Sequence, residues 1–421
     1  MIGLPAFRPD LTDYRECIDT IETRVRRFTV AELEAMNHSA RQAGSPVLQT
    51  SEFLSTPHGK VVASLPPFTL FPVERDTAPV PFTSQTISPA GGPIQCLKGI
   101  RVLELCRVIA GPTIGRSLAA HGAQVLKVTS PHLPDVPFFQ VDVNVGKHTT
   151  ALHLHNPDDR RTFASLLTTA DVIIDGYRPG TLERLGYGPQ NLVDMARCRG
   201  KGIVYVAEDC FGGSDFAGRC GDQNAEWAGR PGWQQIADCV TGVAWEQGKF
   251  MGLDEPLVPP FPMSDYGTGV LGCVAALNGL YRRATVGGSW VCRTSLVQFD
   301  LFVLGLGMLP HEVQEQLRGS HDADFFGLRH HDSVDEVGRR ALKSVQRLHP
   351  GLFLDEMMDR AWSNGYAAEV KWPKEAISVE GLQIGHEMGT RPNGFDRPTW
   401  DGWDKEIDIA SRRDVCAMDR C

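Results

Sequence analysis

No apolar run in this 421-residue chain approaches the ~20 residues that a membrane-spanning helix needs. Met1 to Phe28 carries acidic residues and has no signal-peptide core. No C-x-x-C pair occurs, so a zinc ribbon or a thioredoxin-type site is not expected. A basic stripe is also missing: the formal charge is -9, with Lys and Arg scattered, which argues against a nucleic-acid surface. These absences lead to a soluble, cytoplasmic protein with no nucleic-acid or membrane partner and no metal. The eleven cysteines, at 17, 96, 106, 198, 210, 220, 239, 273, 292, 416 and 421, are expected as free thiols in a long chain without a secretory signal. The one dense histidine cluster, His330-His331-Asp332, runs into Ser333 and Glu336, a capping box that opens a helix, and reads as surface.

What is present is an ordinary globular balance, 42% hydrophobic and 22% charged, with room for two or three domains. Residues 1–95 read as a small α+β segment and linker. Thr29 with Glu32 opens a helix there and Gly44 follows it. From Ser45 to Pro93 prolines and short pieces such as Val61-Val62 and Phe68-Thr69-Leu70 predict a small β-containing unit.

Over 96–310 the pattern changes. Ile100 to Cys106, Ala123 to Val128, Asp171 to Asp175 and Ile203 to Val206 are short buried strands, and helices such as Thr113 to His121 and the Asn156-Pro157 start fall between them. The fold class expected is α/β: a Rossmann-like parallel sheet with helices on both faces. Ligands of such sheets bind beyond the carboxyl ends of the strands, where Val108 to Gly111 and Asp175 to Arg178 fall. The turn Ala110-Gly-Pro-Thr-Ile-Gly115 lacks G-x-G-x-x-G, which argues against a dinucleotide enzyme. Residues 311–421 form a helical tail, with helices over Val334 to Leu348 and Leu352 to Asn364. Trp372, Trp400 and Trp403 serve there as packing anchors.

The run Phe261-Pro-Met-Ser-Asp-Tyr-Gly-Thr-Gly269 puts a carboxylate at a loop-to-helix junction, ahead of the apolar helix Val270 to Tyr281. Asp265 is the candidate nucleophile, its anion stabilised by the helix start. The alternative is that Asp265 or Ser264 caps the helix.

Several segments carry a family likeness. They are Gly99 to Pro112 (G-I-R-V-L-E-L-C-R-V-I-A-G-P), His121 to Lys127, and Ala170 to Gly186 with its R-P-G. Arg230 to Gly242 and the Asp265 run complete the order. In that order the chain resembles the family III CoA-transferases, the group that includes formyl-CoA transferase, over roughly Leu97 to Gln298. The resemblance implies that Asp265 forms an acyl anhydride and then an aspartyl-CoA thioester. It implies CoA contacts at Val108, Ile109, Ala110, Gly176, Tyr177, Arg184 and Leu185. Arg184 is alternatively a solvated helix arginine. Coenzyme A or acyl-CoA is then a substrate, not a tightly bound cofactor, and the other partner is a small carboxylic acid.

Departures from the family pattern are visible. Thr129-Ser130 replaces a frequent Glu-Arg pair, and no glycine-rich loop follows Gln298. Gln234 stands where many members have an acidic residue; its amide suits hydrogen bonding to a bound acyl group but not proton abstraction. Thr29 to Phe71 looks like part of a family small domain placed ahead of the large one, as after a tandem duplication. The family's interlocked dimer does not suit that order, though a homodimer stays open. A CoA-binding relic without activity is the second reading. An α-methylacyl-CoA racemase is the third, weakened because Trp233 occupies its histidine position.

Overall fold

The computed structural model describes residues 1–82, 94–215 and 224–403. Cys220, Cys416 and Cys421, the later part of the linker before Pro93, and the chain after Trp403 lie outside the described residues.

Seven strands form the main sheet: β1 (Phe68–Glu74), β2 (Arg101–Leu105), β3 (Gln124–Thr129), β4 (His148–Ala151), β5 (Val172–Asp175), β6 (Val204–Asp209) and β7 (Ser289–Ser295). Their order is β1-β7-β6-β5-β2-β3-β4, all parallel except β1, which runs antiparallel to β7. The strands are apolar on both sides because both faces are covered. Leu103, Leu126, Ile173, Tyr205 and Val291 pack on one face with the helices Pro157–Leu167 and Pro189–Arg199. Val102, Val125, Val172, Val204 and Cys292 pack on the other with the helices Ala110–Ala120 and Met263–Thr285. Each fully buried side chain of this size contributes about 1.5–3 kcal/mol of transfer free energy, so these layers hold the sheet.

The two helices on the second face approach closely because glycines line their contact. A Cβ on Gly269 would stand 2.4 Å from Thr113 Cβ and 2.7 Å from the Ala110 carbonyl oxygen, and one on Gly272 would stand 2.5 Å from Ile114 Cδ1. β2 lies between β3 and β5, so the winding of the chain reverses there, and the switch point that such sheets use for ligands falls at the carboxyl ends of β2 and β5.

Several predicted features hold. Glu32 and Thr29 form the reciprocal cap (Thr29 N–H to Glu32 Oε2 2.7 Å), and Asn156 caps the helix that Pro157 opens. The helix after Ser333 spans Val334–Leu348. Trp372 is buried beside Val145, while Trp400 and Trp403 pack against the first-face core. The eight cysteines among the described residues are free, and no helix among those residues is long and apolar enough to cross a membrane.

Other features differ. Val61 and Val62 belong to the helix Pro57–Ala63, whose start is capped by Thr56, not to a β unit. Phe68-Thr69-Leu70 is β, but it pairs with Thr294, Arg293 and Cys292 of the large sheet. The helix begun at Val30 ends at Ser39, short of Gly44. Leu352 to Asn364 is not a helix: it consists of 3-10 turns followed by β8 (Met358–Ser363), which pairs antiparallel with β9 (Ala368–Pro373). The turn between these strands lets each satisfy the other's backbone, and that pairing overrides local helix preference.

Candidate active site

Asp265 lies in the first turn of the helix Met263–Thr285. The cap position is Pro262, with no side-chain cap, so neither Ser264 nor Asp265 fills that role. Ser264 turns inward instead, its hydroxyl 2.9 Å from Asp238 Oδ1 and 2.6 Å from Asp300 Oδ1. The Asp265 N–H donates to Gln234 Oε1 (3.0 Å), and Gln234 Nε2 donates to the Phe261 carbonyl (3.0 Å). One buried amide, 1% exposed, therefore ties the loop entering the helix to its first turn.

The Asp265 side chain is half-buried and accepts no hydrogen bond from the described residues. Burial first, and then the nearby Asp238 carboxyl, raise its pKa to about 7. This reverses the expectation that the helix start holds it as an anion. A helix N-terminus contributes about 0.3–1 kcal/mol to an anion. Desolvation of a carboxyl is worth several pKa units, each about 1.4 kcal/mol. The larger effect wins.

Beside this turn runs the segment linking β2 to the helix Ala110–Ala120. Val108 sits in the left-handed region at φ 65°, a conformation that a β-branched residue holds only when its surroundings impose it. Ile109 and Ala110 are buried, and the Ala110 carbonyl meets Gly269, one helical turn beyond Asp265. The neighbouring strand contributes Gly176, whose N–H donates to the Leu105 carbonyl (3.1 Å). Gly111 and Gly176 both close on Cys106, where an added Cβ would stand 2.8 and 2.9 Å from its sulfur. The two turns that the sequence singled out are thus adjacent, and Asp265 flanks the first of them.

Around Tyr177 the chain forms a polar cleft lined by Asp175, Tyr177, Gly180, Glu183, Glu208 and Arg293 among others. Asp175 accepts from the Tyr205 hydroxyl (2.5 Å) and the Tyr177 N–H (3.0 Å), and burial brings its pKa up to about 6. Glu208, half-buried near the end of β6, is pushed well above the usual carboxyl range by burial and by Asp209, Asp265 and Asp175. Arg184 is exposed and donates to Thr181 Oγ1 (3.1 Å). Leu185 is half-buried beside it, and no hydrogen bond or ion pair links either residue to Asp265.

Sequence reasoning missed Glu208, Asp238, Ser264 and Asp300. Only Asp238 had a local signal, standing four residues after Gln234 on the helix Gln234–Thr241. Trp233, before that helix, is 53% exposed and offers no base. His330, in the cluster read as surface, pairs with Glu255 (Nδ1 to Oε2 2.7 Å). Thr129 spends its hydroxyl on the Thr150 carbonyl.

Residues 97–332 match the model of a family described as CoA-transferase family III. The acetyl-coenzyme A transferase nodX of Hypoxylon pulicicidum is 31% identical over 406 residues, 95% of this chain and 66% of its own length. An acyl-CoA transferase of Gibberella moniliformis is 33% identical over 313 residues, 72% of this chain and 52% of its own. The chain therefore spans between about half and just under two thirds of these relatives. Among solved structures, that of Rv3272 from M. tuberculosis superposes with a TM-score of 0.50 at 19% identity, covering 72% of this chain and 98% of that one. That likeness concerns the fold.

Proposed function

Because the chain belongs to CoA-transferase family III, we propose that it moves coenzyme A from an acyl-CoA donor to a carboxylic acid, with Asp265 as nucleophile. An oxygen of the Asp265 carboxylate bonds to the acyl carbon as the carbon–sulfur bond breaks, giving a mixed anhydride and the CoA thiolate. The thiolate attacks the Asp265 carbonyl carbon and expels the donor acid as its carboxylate, which leaves an aspartyl-CoA thioester. The acceptor carboxylate then attacks that thioester carbon and releases the thiolate. Finally the thiolate attacks the acceptor acyl carbon, forming the new acyl-CoA and restoring the Asp265 carboxylate. Electrons balance at each exchange, and no proton is consumed overall.

The observation that carries this reading is the state of Asp265: half-buried, unclaimed by any described hydrogen-bond donor, held through its backbone by Gln234, and beside the turn that ends at Ala110. A carboxylate with few hydrogen bonds is a stronger nucleophile than a solvated one. With a pKa of about 7 it is still ionised in a large share of molecules at neutral pH. In this reading Val108, Ile109, Ala110, Gly176 and Tyr177 line the path of the CoA arm, and Arg184 and Leu185 meet its far end. Gln234 orients the nucleophile, and its amide stands beside the acyl group. Exclusion of water from the crevice protects the anhydride.

The test is CoA exchange followed by mass across donors and acids, including acetyl-CoA and longer acyl-CoA donors because the relatives are named for both. Hydroxylamine is added to trap the acylated aspartate. Asp265→Asn is expected to lower exchange by on the order of 10³ or more, in the manner of nucleophile deletions, and to abolish the trapped adduct. Exchange that persists in the variant overturns the mechanism.

A further inference from the structure

We propose that Asp238, Ser264 and Asp300 form a proton-holding bridge behind Asp265, which anchors the nucleophile's backbone and keeps a shared proton next to its carboxyl. The inference rests on the reading of Asp265 as nucleophile and deepens it by naming the residues that position it.

The geometry sets a proton count. Ser264 Oγ contacts Asp238 Oδ1 at 2.9 Å and Asp300 Oδ1 at 2.6 Å. Thr241 Oγ1 contacts the Ala237 carbonyl at 2.8 Å and Asp300 Oδ2 at 3.0 Å. Each hydroxyl has one hydrogen to donate, whereas an ionised carboxylate and a carbonyl only accept. Both hydroxyls thus face two acceptors each, and a contact left over at either is a hydrogen bond only if a carboxyl carries a proton. Asp300 is the residue common to both hydroxyls: a proton on its Oδ1 donates to Ser264, which then donates to Asp238, while the single Thr241 hydrogen is shared between the Ala237 carbonyl and Asp300 Oδ2. Asp238 and Asp300 are 0% and 1% exposed, so both are shut off from bulk solvent.

The surroundings keep that proton in place. Asp238 comes from the helix Gln234–Thr241 and Asp300 from the helix Leu296–Gly305. Cys239 faces both carboxyls, Cys210 faces Asp300 and Asp265, Glu208 faces Asp265 from β6, and Tyr266 faces Asp265 from its own helix. None of these is a cation. Arg116 is turned toward Asp142 and Tyr266. With several buried acids and no cation facing them among the described residues, desolvation and like-charge repulsion both favour the protonated bridge, and Asp238, where ionised, is the charge that opposes ionisation of Asp265.

Difference infrared spectroscopy over a pH titration of the full chain tests this without requiring turnover. The carboxylic-acid C=O band lost in Asp265→Asn identifies the nucleophile, and the band lost in Asp300→Asn identifies the bridge. Asp238→Asn keeps the shape but removes the charge. It is expected to move the Asp265 midpoint to lower pH and, where exchange is measurable, to speed the reaction near neutral pH, where Asp238 itself ionises, by about 1.5-fold, the gain in ionised share at pH 7 given by half a pKa unit. An unmoved midpoint in a folded Asp238→Asn protein overturns the bridge. So does the lack of an Asp300-dependent acid band at the pH where Asp265 is ionised, a readout that serves if Asp238→Asn does not fold. Absence of CoA exchange at every pH would count against the transferase reading alone, since the infrared midpoints still decide the bridge.

Discussion

The chemistry of this site depends on whether single atoms fit. Gly269 carries no Cβ because Thr113 and the Ala110 carbonyl already occupy that place, at 2.4 and 2.7 Å. Gly269→Ala has to displace backbone, and overpacking of this kind costs about 1–3 kcal/mol. The urea midpoint should fall accordingly, and KM for the acyl-CoA should rise more than kcat falls, because the displaced turn is the proposed CoA contact. At this scale the sequence places Asp265 between a proline loop and an apolar helix, and the structure has it in the first turn of that helix. Ser264, its neighbour, could not be read in the same way. The partners of its hydroxyl stand 26 and 36 residues away, on separate helices, so only the packed fold shows that it bridges carboxyls. Gln234 was legible as a departure from an acidic position, but its bond to the Asp265 N–H was not.

Elements were legible where their signals are local. Asn156-Pro157 and Ser333-x-x-Glu336 name helix starts by cap chemistry alone, and the structure has both. The same grammar stands at Thr56-Pro57, where Val61-Val62 argue for a strand; the cap prevails, and the structure has the helix Pro57–Ala63. Strand partners carry no such signal: nothing in Phe68–Glu74 says that it pairs with Ser289–Ser295, more than two hundred residues on. The parallel core is also tied at its amino ends. Asp171, just before β5, accepts from the Arg101 N–H (3.0 Å) and from Arg283 Nη1 (2.6 Å), and Lys201 pairs with it as well. Arg283 is buried, so Asp171→Ala leaves a guanidinium without its carboxylate, at a cost of about 3–5 kcal/mol. Chemical denaturation should show the loss. The pH profile of exchange should not move, since this end of the sheet is opposite the crevice.

For the molecule as a whole, the carboxyls around the crevice make stability depend on pH in an unusual direction. Asp175 is raised to about 6, and Asp238 and Asp265 to about 7. Each therefore binds its proton more tightly folded than unfolded. Between the ordinary carboxyl range and about pH 7 the native state holds more protons than the unfolded chain, so stability falls as pH rises through that window. The thermal midpoint should be higher at about pH 5 than at about pH 8, and Asp238→Asn should flatten the difference. Buried His58 and His386, whose pKa values burial lowers, act in the opposite sense, so the comparison that decides is the one between the wild type and Asp238→Asn: an equal pH dependence in both would contradict the raised Asp238. The antiparallel strand β1 bears on the whole as well. The family match begins at residue 97, yet Phe68–Glu74 closes the flank of β7, and Glu74 is bonded to Thr77 and Ser289 there. The stretch matched by the family's model is thus not the stretch that folds as one piece, and any minimal version of this protein has to keep the earlier strand or leave a row of backbone donors and acceptors open to other chains.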